Sequence, residues 1–390
     1  MDKDHIGGTG YVTHEHHTVT CEHGEIINLG LGTSPIGAAP ELKLRLARRD
    51  LVGDLEEYSE DPFHTKTKGF LLNYIGVSAE TRQVVFGGNG SYGTGDEVIR
   101  YLSRSHNCNR IITLPYSFPN TSQWAIRHGL DSTCHGTVER SWEENLATLT
   151  QRNDLAGSVV YIDYPNNPSG QSGSSLLNEL IPFIANRGGV PFIDMAFAEV
   201  LGDEFKNVAK TTLNNQGIII GSVSKTQGLP GLRAGWIILS EEHINNGYTP
   251  EQQLVFGINR EAEEVMQALY SNLQQDGSQT TLADVHARRV SNHNVVVNQE
   301  LSRTVTELGL HLLPSDLRTS IQVIYDPGGR NLYNAFMQAG IIIESLKDYD
   351  STLPSHRNGY GNSAIRILTP NFSKLDMVLD RIGLAVREYL

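Results

Sequence analysis

Ser222-Val-Ser224-Lys225-Thr-Gln-Gly228-Leu-Pro-Gly231-Leu-Arg233-Ala-Gly235 is the most informative stretch of the 390-residue sequence. It continues an apolar run, Gly217 to Val223, that reads as a buried strand. A lysine just past such a strand, in a Gly/Ser loop that returns an arginine eight residues later, is out of place as a surface charge. Lys225 is also the only lysine between Lys210 and Lys347. Burial and neighbouring cations lower an ammonium pKa, so an amine held there is a competent nucleophile toward a carbonyl. Ser222 and Arg233 can complete an anion site, suited to a phosphate.

Upstream of this stretch, short apolar runs alternate with amphipathic ones: Val84 to Phe86, Asp96 to Ser105, Ile111-Ile112, Val159 to Ile162, Leu176 to Asn186, Val190 to Ile193 and Ile218 to Ile220. That alternation predicts a parallel sheet covered on both faces. Tyr164-Pro-Asn166-Asn167-Pro-Ser-Gly170 follows one strand, and Asp194-Met-Ala-Phe197 ends another. An asparagine and an aspartate at the carboxyl ends of strands in one parallel sheet stand where such sheets bind ligands.

Gly88-Asn-Gly90-Ser-Tyr-Gly93 fits the G-x-G-x-x-G dinucleotide pattern between a strand and a helix. The ribose-binding acid that should end the next strand is missing, because that strand closes as Ile112-Thr113-Leu114-Pro115. A phosphate at a glycine-rich helix N-terminus survives this test, and a dinucleotide does not.

Downstream, a long helical stretch from Leu282 to Leu308 leads into Ile321 to Tyr325, Leu332 to Ala339, Ile341 to Glu344 and Ile365 to Leu368. A last helix follows, with Ser373 and Asp376 spaced as a capping box. This is a small α+β domain. The expected organisation is 1–50 as an N-terminal arm and part of the small domain, 51–280 as the large domain and 281–390 as the small C-terminal domain. The arm carries His14, His16, His17 and His23 without ligand spacing, so no metal site is expected.

Composition narrows the partners. The 44 acidic residues outnumber the 31 Lys and Arg, which speaks against a basic nucleic-acid surface. The three cysteines show no metal spacing, and no run reaches the roughly eighteen apolar residues of a membrane helix. A soluble, cytoplasmic protein with a small-molecule partner is expected, with no nucleic acid and no membrane.

Taken in order, N-N-P-S-G, D-x-A-F and S-x-S-K-(x7)-R resemble the fold-type-I pyridoxal 5'-phosphate enzymes of the class I/II aminotransferase group, with a histidinol-phosphate aminotransferase-like order. The resemblance implies an α/β fold: a large domain around a mostly parallel seven-stranded sheet, plus a small α+β domain. It further implies that Lys225 is the lysine that binds the cofactor as a Schiff base and later moves protons. Asp194 matches the partner of the pyridinium nitrogen, Asn167 the donor to the ring O3' that also borders the substrate, and Ser222 and Arg233 the phosphate ligands. Arg366 matches the clamp on the substrate α-carboxylate, a bidentate task suited to a guanidinium. Tyr58 resembles the tyrosine that reaches a neighbouring subunit's phosphate, which implies a homodimer with shared sites.

The phosphate cup matches Gly93-Thr94 or Thr94-Gly95-Asp96, and the aromatic on the cofactor ring matches Phe118 rather than Tyr116. Phe197 departs from the family, whose D-x-A-Y tyrosine offers a hydroxyl to O3'. That departure points away from routine transamination. Leu269-Tyr-Ser-Asn272 and Leu282-Ala-Asp284-Val-His286 are similar to segments of pyridoxal phosphate enzymes that handle arginine derivatives, among them the guanitoxin-pathway cyclases that form L-enduracididine from γ-hydroxyarginine. The reactions left open are cyclisation or elimination of a guanidino amino acid and ordinary amino transfer to a 2-oxo acid.

Overall fold

Thirteen strands carry the framework among the residues that the computed structural model describes, which are 25–30, 32, 34–47, 61, 64–78, 82–246, 257–273, 280–352 and 359–390. They are β1 (Ile27–Asn28), β2 (Arg82–Gly87), β3 (Arg110–Thr113), β4 (Asp131–Cys134), β5 (Ser158–Asp163), β6 (Val190–Asp194), β7 (Ile218–Ser222), β8 (Gly235–Ser240), β9 (His311–Leu312), β10 (Ile321–Tyr325), β11 (Ile341–Ile342), β12 (Glu344–Ser345) and β13 (Ala364–Leu368).

Seven of them form one sheet in the order β2-β8-β7-β6-β5-β3-β4. The pairs from β7 through β6, β5 and β3 to β4 are parallel, and β8 runs antiparallel to both β7 and β2. Alternate residues of each strand feed opposite faces, as the period-two geometry of a strand requires. Val160, Ile162, Ile193 and Ile219 join the core under the Ser174–Asn186, Asp203–Asn214 and Arg260–Tyr270 helices. Val159, Tyr161, Phe192 and Ile220 join the core under the Gly90–Ser105 and Asn120–His128 helices. The near-continuous apolar runs in the sequence are the signature of these doubly covered strands.

A four-stranded sheet, β12-β13-β10-β9, and the parallel pair β1-β11 make the C-terminal layer. Its core combines Ile27 and Leu29 from the N-terminal side with Leu301, Phe336, Ile367 and Ile382. The Leu282–Glu307 helix links the two cores, because Leu282, Ala283 and Val290 belong to the large one and Leu301 and Val305 to the small one. Thr281 and Asp284 open that helix with a reciprocal capping box. The box expected at Ser373 is absent. A 3-10 turn, Phe372–Lys374, precedes the final Leu375–Tyr389 helix, and Asn371 Oδ1 takes the Ser373 N–H at 2.9 Å instead. Asparagine binds the backbone two residues on more readily than serine does, and Asn371 sits two residues before Ser373.

Candidate active site

The carboxyl ends of the parallel strands meet on one edge of the large sheet. Register places Asp163 beside Asp194, Ser222 opposite Gly235, and Gly235 opposite Gly87. β2, β5, β6 and β7 therefore deliver their last residues, and the antiparallel β8 its first, to a common line, the usual ligand side of an open α/β sheet.

At one end of this line lies an anion cradle. The Gly90–Ser105 helix begins where β2 ends, and the Gly90 N–H donates to the Arg233 carbonyl at 3.0 Å. This approach needs small residues: a Cβ on Gly235 would lie 2.4 Å from the Gly90 carbonyl carbon, and Gly90 itself has φ +64. A Cβ on Gly90 would stand 3.5 Å from Arg233 Nη2 and 3.7 Å from Ser222 Oγ, so all three groups border one hollow at the helix N-terminus. Ser222 Oγ is positioned by Ser224 Oγ at 2.8 Å and the Ala234 carbonyl at 3.0 Å. Arg233 adopts the left-handed region with φ +54, and its Nη2 donates to the Asn89 carbonyl at 3.0 Å.

The sequence reading put the cup at Gly93, Thr94 and Gly95, whereas the helix starts earlier, at Gly90. Thr94 is buried with its hydroxyl on the Gly90 and Ser91 carbonyls, and a Cβ on Gly95 would strike Trp124 at 2.3 Å. Thr94 and Gly95 face the helix packing rather than the hollow, and Gly93 is the fourth helical residue. An N-terminus offers its free N–H groups only within the first turn.

Lys225 follows β7. Burial foremost, then the charge of Arg366, lowers its pKa to about 8, against the pull of Glu344 and Asp194. Its Nζ stands 5.2 Å from the centre of the Phe197 ring. Gly32 covers it from the N-terminal side with φ +65, and a Cβ there would come within 2.7 Å of Nζ. Asp194 is buried, with Oδ1 taking the Ala196 N–H at 2.9 Å and Oδ2 the Tyr161 hydroxyl at 3.0 Å. Burial holds its pKa above the ordinary carboxylate range.

At the other end sits Arg366, buried on β13. Its Nη1 donates to Asn167 Oδ1 at 3.0 Å and to Tyr349 Oη at 3.2 Å. Its Nη2 donates to the Gly30 carbonyl and lies 2.8 Å from Glu344 Oε1. Asn167 also accepts from Tyr349 at 3.1 Å, and its backbone N–H reaches Asp163 Oδ2 at 3.3 Å. Asp163 anchors the neighbouring loop too, through the Phe118 N–H at 2.9 Å, and burial pushes it up to about 7. Phe118 packs on Trp124 with ring centres 6.0 Å apart. Tyr116 is committed elsewhere, accepting the Tyr360 N–H at 2.8 Å while its carbonyl takes Asn166 Nδ2. Tyr58 lies outside the described residues.

The fold thus brings Lys225, Asp194, Asn167, Ser222, Arg233 and Arg366 to one edge. Sequence reasoning missed Gly30, Gly32, Gly90, Tyr161, Asp163, Glu344 and Tyr349. Gly90 stood inside the glycine motif, where local sequence does not separate it from Gly93. Glu344, a charge closing the apolar run Ile341 to Ile343, carried a weaker signal.

These groups fit pyridoxal 5'-phosphate. The cradle of Gly90, Ser222 and Arg233 suits its phosphate, the half-buried amine of low pKa its aldehyde, and the buried carboxylate of Asp194 its ring nitrogen. Fold and site together define a pyridoxal phosphate enzyme of the α/β, fold-type-I class. The family described as aminotransferase class I and II matches residues 24–309, and the chain belongs to that family.

A histidinol-phosphate aminotransferase of Pyrococcus furiosus is 29% identical over 228 residues, covering 55% of this chain and 59% of that relative. An L-aspartate:5-guanidino-3-methyl-2-oxopentanoate transaminase of Pseudomonas syringae pv. syringae is 32% identical over 90 residues, 22% of this chain and 23% of that one. Two solved structures share the fold. Histidinol-phosphate aminotransferase from Sinorhizobium meliloti in complex with pyridoxal-5'-phosphate gives a TM-score of 0.70 at 19% identity, covering 94% of this chain and 93% of that one. MppP soaked with the product 2-ketoarginine gives 0.70 at 15%, covering 92% and 99%. Among the described residues no helix is long and apolar enough to cross a membrane.

Proposed function

We propose that this enzyme acts at the α-carbon of a free L-amino acid with a guanidino side chain, and that it cyclises γ-hydroxyarginine to an enduracididine-type product. When bound, the cofactor supplies an electron sink for the α-carbon. Lys225 removes the Cα proton as a neutral amine and returns a proton as the ammonium. Asp194 holds the proton of the ring nitrogen, Asn167 orients the ring oxygen, and Phe118 covers the ring. Ser222, Arg233 and the helix mouth at Gly90 hold the phosphate, and Arg366 holds the α-carboxylate. Tyr58 contributes to the phosphate of a neighbouring subunit in a cytoplasmic homodimer. The large domain takes residues 51–280, and the arm and small domain take 1–50 and 281–390.

The observation that carries the reading is the Phe197 ring beside Lys225 Nζ, where a tyrosine would offer a hydroxyl. Two relatives whose names concern guanidino compounds support the substrate class. The overall change balances without an oxidant: the C–O bond at Cγ breaks, a guanidine N–Cγ bond forms, and one water leaves. The second reading is amino transfer to a 2-oxo acid, favoured by family membership and the histidinol-phosphate aminotransferase relative.

Incubating the purified holoenzyme with γ-hydroxyarginine, without and then with a 2-oxo acid, separates the two. The proposal expects a cyclic product in the absence of the 2-oxo acid. Turnover that begins only on adding it, with transfer of the amino group, overturns cyclisation and leaves the aminotransferase.

A further inference from the structure

Glu344 has no part in the roles assigned above, yet it is buried in the site. It stands on β12 directly across from Arg366, with Oε1 at 2.8 Å from Arg366 Nη2 and Oε2 accepting from the Tyr349 hydroxyl at 3.0 Å. It is also close enough to Lys225 to pull that amine's pKa upward. Burial holds the Glu344 carboxyl above its ordinary range, and Arg366 offsets this only in part.

The arrangement leaves one edge of Arg366 for a ligand. Nη1 is taken by Asn167 and Tyr349, while Nε is buried and has no hydrogen-bond partner among the described residues. A carboxylate that binds side-on, through two parallel N–H bonds, takes Nε and Nη2 together. Nη2 is already engaged there, donating to the Gly30 carbonyl and standing 2.8 Å from Glu344 Oε1 as an ion pair. A substrate α-carboxylate on that edge therefore puts two carboxylates against one guanidinium, and Glu344 is left as a buried anion without its cation. Such a group must be neutralised or find a new partner.

We propose that Glu344 is a specificity residue that selects a cationic side chain, a guanidinium or ammonium, which replaces Arg366 as its partner when the substrate α-carboxylate binds. The exchange keeps the charge of the closed site balanced without a proton. A neutral side chain of the same shape leaves Glu344 unpaired and binds more weakly. This inference rests on Arg366 holding the α-carboxylate, and it deepens the guanidino reading.

Three probes without an α-amine bind without reacting: 5-guanidinopentanoate, its neutral counterpart 5-ureidopentanoate, and hexanoate. Their affinities for the holoenzyme are measured by calorimetry, with thermal melts confirming that each variant is folded. The wild type is expected to prefer the guanidino probe over the ureido probe by about tenfold or more, the worth of a charge-assisted hydrogen bond. In Glu344→Gln that preference collapses to within about twofold, and Glu344→Asp, which keeps the charge at shorter reach, restores part of it. A wild-type preference that persists undiminished in Glu344→Gln overturns the role of Glu344 while the guanidino reading stands. A wild type that does not distinguish the two probes overturns both. Should Glu344→Gln fail to fold, Glu344→Asp decides: a reduced preference with unchanged hexanoate affinity supports the proposal, and an unchanged preference overturns it.

Discussion

The proposed phosphate end of this site, at Gly90, Ser222 and Arg233, and its proposed carboxylate end, at Arg366, are constructed on opposite principles. At the first, a helix N-terminus, a serine hydroxyl and a half-buried arginine surround a hollow, and glycine lets two backbones touch. Its side chains are held by main-chain groups: Ser222 Oγ bonds the Ala234 carbonyl and Arg233 Nη2 the Asn89 carbonyl. At the second, Arg366, Glu344, Asn167 and Tyr349 form a buried network in which each member satisfies another. Asn167 and Arg366 are 199 residues apart in sequence. A half-buried arginine left without a contact can turn to water, whereas a buried charge network depends on every partner.

The largest effect should therefore come from the carboxylate end. Arg366→Ala strands Glu344 as an unpaired buried carboxylate, and breaking a buried pair this way costs about 3–5 kcal/mol. Urea unfolding of the cofactor-free protein checks this. Combining the change with Glu344→Gln should recover much of the loss, because no charge is then stranded. Arg233→Ala, from the half-buried end, should cost well under half as much. Equal losses for Arg366→Ala and Arg233→Ala would erase the contrast between the two ends.

Between the ends, Lys225 reports on both. Its depressed pKa, about 8, means the nucleophilic neutral amine gains population as pH rises and is complete above that value. Cofactor uptake by the stripped protein should rise about tenfold per pH unit up to about pH 8 and then level off. A free lysine would keep rising toward its usual value above 10. Stopped-flow absorbance against pH measures this. Arg366 lowers the Lys225 pKa more than Arg233 does, so Arg366→Ala should move the inflexion upward further than Arg233→Ala.

The same contrast explains how much could be read in advance. Lys225, Ser222 and Arg233 lie within one short stretch and the glycines lie in one motif, so the groups that border the hollow at Gly90 were adjacent in local sequence. The helix begins at Gly90, nearly two turns before the amphipathic run read from Asp96, because Gly90, Gly93 and Gly95 carry the same local signal and only tertiary contacts separate them. Gly90 faces Arg233 and Ser222, while Gly95 is small to admit Trp124. At the carboxylate end Arg366 was found through resemblance, but its partners were not. Glu344 meets Arg366 through antiparallel register between β12 and β13, and Gly30 arrives from the far end of the chain. No periodicity within one segment encodes such a meeting.

The smallest effect belongs to Gly90→Ala, and its cause separates conformation from contact. A methyl group there would meet Arg233 Nη2 at 3.5 Å and Ser222 Oγ at 3.7 Å, ordinary van der Waals distances. What it cannot easily keep is φ +64, and the left-handed region costs a non-glycine residue about 1–2 kcal/mol. The expected result is a fall of that size in urea stability. Gly235→Ala is the control, since its Cβ would lie 2.4 Å from the Gly90 backbone and must push the helix start away from β8. It should therefore weaken cofactor binding more than Gly90→Ala does, in a titration with pyridoxal phosphate. If Gly90→Ala proves the more damaging to cofactor affinity, the hollow depends on the local turn at residue 90 and not on the close approach of β8 to the helix mouth.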